Sequence, residues 1–282
     1  MGSALIIVWR ESIEAVLVVG ILHAWLKSQG NREGLRWLVG GVVAGLGAAV
    51  ALGASMLALQ SQLAADVLEA IQTLAIFVAA ALIVQMILWM RTHARGLKRE
   101  LESGVASAVQ SGNLMRVATL AAIAVAREGA ETVLFLYGLL AERGGAELAR
   151  VGAGAGIGLV LALVTFWLLS RGVRWMSWRA FFAVSEILLL LFAGALVVAG
   201  IDRLVAAGTL ALDSGPRWDT TWLLDDASGA GGLLAQLTGY RAQPNIAELA
   251  ALAAFWIAVL AFMHFPRIRL ALGRRRNESA RR

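Results

Sequence analysis

A chain of 282 residues that is 59% hydrophobic and only 16% charged, with a mean hydropathy of +0.74, lies outside the range of soluble domains and reads as an integral membrane protein. Cysteine is absent, which excludes disulfides, thiolate metal sites and thiol catalysis, and with only three histidines any metal ion would be held mostly by oxygen. The net charge of +6 does not point to nucleic acid, because Lys and Arg gather in short connections and a basic tail, as membrane topology requires.

The first apolar segment runs from about 4 to 26. Met1 to Val8 carries neither a basic leader nor an early small-residue cleavage site, so this segment is expected to be a retained helix rather than a signal peptide. Six more segments follow at about 37–59, 67–90, 117–140, 151–170, 180–202 and 246–265, each near the ~20 residues a spanning helix needs.

Lys27, Arg32 and Arg36 fall between the first and second segments, and Arg91, Arg95, Lys98, Arg99 and Arg116 between the third and fourth. Arg171, Arg174 and Arg179 fall between the fifth and sixth, and Arg267, Arg269, Arg274, Arg275, Arg276, Arg281 and Arg282 follow the seventh. The remaining connections are poorer in positive charge, which puts the N-terminus outside and the C-terminus in the cytoplasm. An odd number of spans agrees with that. Trp25, Trp37, Trp89, Trp175 and Trp178 then stand at cytoplasmic boundaries, where indole anchors are expected. His23, His93 and His264 also sit at or beyond those boundaries and read as interfacial, and the methionines, Met86 and Met90 among them, read as packing or boundary residues.

Between the third and fourth segments, Leu97, Leu101, Val105 and Ala108 recur at helical spacing beside Lys98, Arg99, Glu100 and Glu102. The stretch from Leu97 to Asn113 is expected to be either an amphipathic helix on the inner leaflet or a solvated connector. The long outer connection, roughly 203–245, holds Asp213, Asp219, Asp225 and Asp226, with turn signals at Gly215-Pro216, Gly229 to Gly232 and Gln243-Pro244. It suggests no separate soluble domain, so residues 1–282 form a single domain ending in a basic tail, 266–282.

Two charge clusters interrupt the apolar runs: Arg10-Glu11-Ser12-Ile13-Glu14 in the first and Arg127-Glu128-Gly129-Ala130-Glu131 in the fourth. An ionisable side chain inside a bilayer costs roughly 2.5–3.5 kcal/mol on insertion scales and marks function by default. On a helix, glutamates three apart share a face, and an Arg four residues from one of them can hold it ionised. An Arg–Glu pair that merely locks helices together would need one glutamate; the second carboxylate in each cluster is what that explanation leaves over. Glu11, Glu14, Glu128 and Glu131, set against Arg10 and Arg127, form an oxygen-rich site for a hard cation.

Aligning Arg10 with Arg127 also matches Glu11 with Glu128, Glu14 with Glu131, Val16 with Val133 and Leu17 with Leu134. The helix after each cluster is Gly-rich, with Gly41 and Gly45 in one and Gly152, Gly156, Gly154 and Gly158 in the other, and such helices are expected to pack closely on the motif helices. Three spans separate the clusters, so the fold expected is all-α: two inverted three-helix repeats, about 4–90 and 117–202, plus a seventh helix. Transporters of this kind place a shared site near the midplane. At ~1.5 Å per residue both clusters lie some 10–15 Å into a ~30 Å core, from opposite sides.

The two clusters resemble the paired Arg-Glu-Gly-Leu-Glu motifs of the oxidase-coupled high-affinity iron permease family of fungi and bacteria, with Ser12, Ile13 and Ala130 as departures. The outer segments Trp222-Leu-Leu-Asp-Asp-Ala-Ser-Gly and Gly239-Tyr240-Arg241-Ala-Gln-Pro244 look like its bacterial branch. The resemblance implies iron import across the bacterial cytoplasmic membrane, with iron as cargo and no organic cofactor. It also implies an accessory protein that oxidises or delivers iron: a copper oxidase in fungi, or a periplasmic iron-binding protein or haem peroxidase in bacteria. Glu69, with Gln72 one turn later, resembles an acidic position of the family, and Asp225-Asp226 resembles an acidic outer patch that collects iron. Glu186 in the sixth span either lines the cavity or pairs with an Arg.

Ligand type alone leaves lead, manganese or proton-coupled cation exchange open, while favouring ferric over ferrous iron. An intramembrane enzyme would need a nucleophile with its base, or a motif such as His-Glu-x-x-His, and the spans offer neither. The cytoplasmic parts are too short and basic for a receptor's signalling domain.

Overall fold

The computed structural model describes residues 2–60, 62–143, 148–170, 178–210, 215–226 and 229–279, with side chains at all of these except 92–95, 97, 142–143, 169–170, 178–181 and 264–279. Among the described residues the regular structure is entirely helical: α1 (Gly2–Ser28), α2 (Arg32–Gln60), α3 (Ala65–Gln110), α4 (Met115–Arg143), α5 (Leu148–Ser170), α6 (Trp178–Ala206), α7 (Gly229–Thr238) and α8 (Ile246–Ser279). The expectations for Trp175 and Asp213, and for the side chains of His93, Trp178, His264 and the basic tail, lie outside the described residues.

Among the described residues, five helices contain stretches long and apolar enough to cross a membrane: 32–60, 65–91, 148–168, 182–206 and 246–263. The two motif helices are comparably long, 27 residues for α1 and 29 for α4, but their charged clusters break the apolar run. Exposed Val39, Val43, Leu46 and Val50 along α2, and Leu159, Val160 and Leu163 along α5, give these helices the apolar outer surface a bilayer demands.

Small residues decide how the helices meet. In α2, Gly41, Gly45, Ala49 and Gly53 recur every four residues and meet Ala118, Ala122, Gly129 and Val133 of α4 in the same order, so the two helices run parallel in close contact. A Cβ at Gly41 would run into the backbone of Ala118, and one at Gly45 would lie 2.8 Å from the Ala122 carbonyl oxygen. In α5, a Cβ at Gly158 would stand 2.5 Å from the Leu5 carbonyl oxygen of α1. Further along, Ala162 packs with Ile13, and Phe166 packs on Gly20. Each Gly-rich helix therefore packs on a motif helix, and on the one from the other half of the chain. Of the two glycine pairs in α5, Gly158 makes the close approach, while Gly152 and Gly156 face open space.

We expect Gly41→Ala to destabilise the protein by about 1–3 kcal/mol through overpacking against backbone that cannot yield. Gly40→Ala, with nothing within 4 Å of its Cβ, is the control. Thermal unfolding in detergent compares them, and equal midpoints would show that α2 and α4 do not meet at Gly41.

The third span runs on into the stretch that follows it. α3 continues for 46 residues to Gln110, because Gly96 alone does not stop a helix otherwise built of good formers, and the turn comes at Ser111-Gly112, where Gly112 takes φ +67°. Of the two readings for 97–113, the structure shows the helix: the stretch is helical to Gln110, as the end of α3. Its buried Val105 and Ala108 pack with Leu22 and Leu26 of α1 and with Val117 and Ala121 of α4, so the apolar face meets protein.

The loop's glycine run at Gly229 to Gly232, expected as a turn, opens α7 instead. Asn245 and Glu248 form a capping box at the start of α8: the Asn245 side chain accepts from the Glu248 N–H at 2.9 Å, and the Glu248 carboxylate accepts from the Asn245 N–H at 3.0 Å.

Candidate functional site

The two clusters meet where α1 and α4 pack together. One oxygen from each of Glu11, Glu128 and Glu131 lies within 4.8 Å of the other two, so residues more than a hundred positions apart in sequence form one group. Glu11, Glu128 and Glu131 each keep a buried Oε2 with no hydrogen-bond partner. Buried carboxylate oxygens without donors are costly and rare in a folded protein. An ion with bonds of about 2.1 Å holds opposite ligand atoms about 4.2 Å apart, so small rotations of these side chains would close around it.

The guanidiniums are arranged unequally. Arg10 is 3% exposed; its Nη1 donates to Glu11 at 2.9 Å and its Nη2 lies 2.5 Å from Glu14. Its Nη1 also donates to the sulfur of Met86 at 2.7 Å, so Met86, which packs in the core as one of its two expected readings has it, also touches the site. Arg127 is 42% exposed; its Nε donates to Glu131 at 3.0 Å and lies 3.9 Å from Glu128. The Trp89 ring lies 4.4 Å from the Arg127 guanidinium, a cation–π contact. Trp89, expected as an interfacial anchor, therefore also touches the second cluster. Four carboxylates facing two guanidiniums leave two negative charges for a cation to balance.

Glu14 is not one of the three grouped carboxylates but adjoins them. It lines a cavity of about 380 Å³ together with Leu17, Trp89, Arg127, Glu128 and Phe182. This cavity lies on the side of the group toward the C-terminal half of α1, and Glu100 and Leu101 of α3 also border it.

The other predicted residues are not gathered into this group. Glu69 is exposed near the start of α3, in a cavity of about 520 Å³ that it shares with Asp66, Thr73 and Arg203. Arg203 donates to the Gln72 side chain at 3.2 Å and to the Ala141 carbonyl, tying α6 to α3 and α4. Asp225 and Asp226 lie in the loop, where the Asp225 carbonyl sits against Gly231 at the start of α7.

The same loop is held by Asp219, which accepts from the Thr221 hydroxyl at 2.6 Å, the Thr221 N–H at 2.9 Å and the Gln243 amide at 2.9 Å. The Thr221 hydroxyl, ahead of the other two donors, holds the Asp219 carboxyl below the usual carboxylate range. The Tyr240 hydroxyl donates to the Leu224 carbonyl at 3.1 Å, and Arg241 bonds Asp202 of α6 at 2.8 Å.

Glu186 pairs with Arg91, whose Nε donates to it at 2.6 Å. That pair, Trp89 and Met86 are the residues that sequence reasoning did not connect to the site. The rule that a charge in an apolar run needs a partner pointed toward an Arg without saying which; nothing in the sequence ties Trp89 or Met86 to the site.

The model of the iron permease FTR1 family matches residues 1–275. A ferrous iron permease EfeU from Yersinia pestis is 28% identical over 269 residues, covering 93% of this chain and 92% of the relative. One from Escherichia coli O6:K15:H31 is 29% identical over 267 residues, covering 93% and 95%, and one from Shigella sonnei gives the same figures. No solved structure matches the chain.

Proposed function

This chain belongs to the iron permease FTR1 family, and on that premise we infer that it imports iron across the membrane through the carboxylates buried between α1 and α4. It is a multi-pass membrane protein with iron as its cargo. The observation that carries the route is the convergence of Glu11, Glu128 and Glu131 with an unpartnered oxygen on each.

In this reading Glu11, Glu128 and Glu131 coordinate the ion, and Glu14, on the cavity wall, receives it next. Arg10 and Arg127 keep the carboxylates ionised and limit their net charge. Glu69, Asp225 and Asp226 collect iron at the outer face. Seven spans, α1 to α6 and α8, form one domain of two inverted repeats and a seventh helix, with the N-terminus outside. The parallel packing of α2 on α4 and of α5 on α1 supports this organisation, because an inverted repeat exchanges those two pairs. The membrane is the bacterial cytoplasmic membrane, and a periplasmic protein that oxidises or delivers iron supplies the cargo.

Radio-iron uptake into proteoliposomes tests the function, with ascorbate to supply ferrous ion or ferric citrate to supply ferric ion. The relatives are named for ferrous iron, whereas an all-oxygen ligand set favours the harder ferric ion. We expect saturable uptake that excess lead or manganese does not abolish. Uptake no faster than into empty liposomes under both conditions would overturn the reading.

The natural absence of cysteine makes topology directly testable. We expect Leu223→Cys to react with an impermeant maleimide applied to intact cells and Arg275→Cys to react only after permeabilisation. Labelling of position 275 from outside would reverse the orientation.

A further inference from the structure

The shift of 117 positions that lays Arg10 on Arg127 also lays Gly41 on Gly158 and Glu69 on Glu186. The glycine match has structural content, since both are points where a Cβ would collide with the backbone of the opposite motif helix. The glutamate match pairs a residue expected to receive the ion with one left without a role.

Their surroundings correspond as well. Glu186 of α6 is bound to Arg91 of α3; Glu69 of α3 shares a cavity with Arg203 of α6. Because Glu186 sits at the level of Arg91, the two glutamates are separated along α3 by the 22 positions from 69 to 91, about 33 Å at the rise of an α-helix. That is close to the ~30 Å hydrocarbon thickness.

Glu186 also lies one helical turn from a residue that lines the cavity beside the motif. Trp89, two positions from Arg91, stacks on Arg127, and Phe182, one turn from Glu186, lines the cavity that holds Glu14 and Glu128. A structural ion pair is an incomplete account of Glu186: Arg91 is 42% exposed and Glu186 22%, so the pair is open on one side and contributes less stability than a fully buried one. A carboxylate held in an apolar helix in so open a pair is better explained by an ion that visits it.

We propose that Glu186 is the inner relay carboxylate for the transported cation, the counterpart of Glu69 at the outer face, and that Arg91 neutralises it between transport events. The proposal rests on the iron permease reading above. When iron leaves Glu14 and Glu128 for the cavity, it displaces the Arg91 guanidinium from Glu186 and then passes to water, with no covalent step.

The test is radio-iron uptake by the full chain in proteoliposomes, read as maximal rate and half-saturating concentration. Glu186→Gln is expected to lower the maximal rate about tenfold or more with half-saturation changed less than about twofold, because loading precedes the step it serves. Glu186→Asp should restore part of the rate. Arg91→Gln should keep most of it, and Arg91→Gln with Glu186→Gln should stay slow. A purely structural pair would behave differently: both single changes would cost the same, and the double change would recover transport. That pattern, or wild-type rate in Glu186→Gln, overturns the proposal. Gel filtration of each variant confirms folding, and if Glu186→Gln fails to fold, Glu186→Asp against Arg91→Gln makes the same comparison. Wild-type uptake, and its loss in a Glu128 variant, are measured alongside, so that failure of the permease reading is distinguished from failure of this one.

Discussion

Replacing Glu128 by Gln is expected to abolish iron uptake while leaving a folded protein. Glu128 is 8% exposed, its Oε2 has no hydrogen-bond partner, and its nearest guanidinium nitrogen is 3.9 Å away, so little of the fold depends on its charge. Transport does depend on it, because the amide replaces an anionic carboxylate with a weaker neutral carbonyl ligand and halves the net charge of the site. Loss of even a supporting residue around a bound metal costs about 10- to 100-fold, so loss of a ligand's charge should cost on the order of 100-fold or more. Radio-iron uptake in proteoliposomes, paired with circular dichroism and gel filtration, checks both halves. Wild-type uptake by Glu128→Gln would falsify the shared site, since the ion would then cross without the second cluster.

Truncating Arg10 to Ala is expected to harm folding far more than truncating Arg127. Arg10 is 3% exposed and contacts both Glu11 and Glu14. Its loss leaves two buried carboxylates without their counter-ion, and removing one partner of a buried pair costs about 3–5 kcal/mol. Arg127 is 42% exposed and borders the cavity beside Glu14, where water can take over solvation of Glu131, so its cost falls toward the ~1 kcal/mol of surface pairs. Thermal unfolding in detergent measures both. Adding Glu14→Gln to Arg10→Ala should recover part of the loss, because one uncompensated charge is then removed. Equal unfolding midpoints for Arg10→Ala and Arg127→Ala would show that burial does not separate the two guanidiniums.

The contrast between the two arginines shows the limit of motif reading. In sequence the clusters are near copies, and nothing in either stretch distinguishes Arg10 from Arg127. The difference comes from α3, which sets Met86 against one guanidinium and the Trp89 ring against the other. Both residues lie within the third apolar segment, and nothing in their own stretch says which neighbouring helix they face.

What the sequence determined by itself was membrane insertion, the all-helical class, the two charged clusters and their repeat. Each of these is written in local terms: a run of apolar residues near the length of a bilayer, or an ionisable group whose burial is so costly that its presence declares a purpose. The three-dimensional arrangement decided the rest. It brought Glu11 to Glu128 and Glu131 while leaving Glu14 on a cavity wall, set α2 against α4 and α5 against α1, and joined Arg91 to Glu186. These depend on contacts between segments far apart in the chain. An apolar helix facing lipid and one facing another helix present nearly the same composition, and only the small residues at the contact, read together with the partner they admit, reveal which neighbour was chosen.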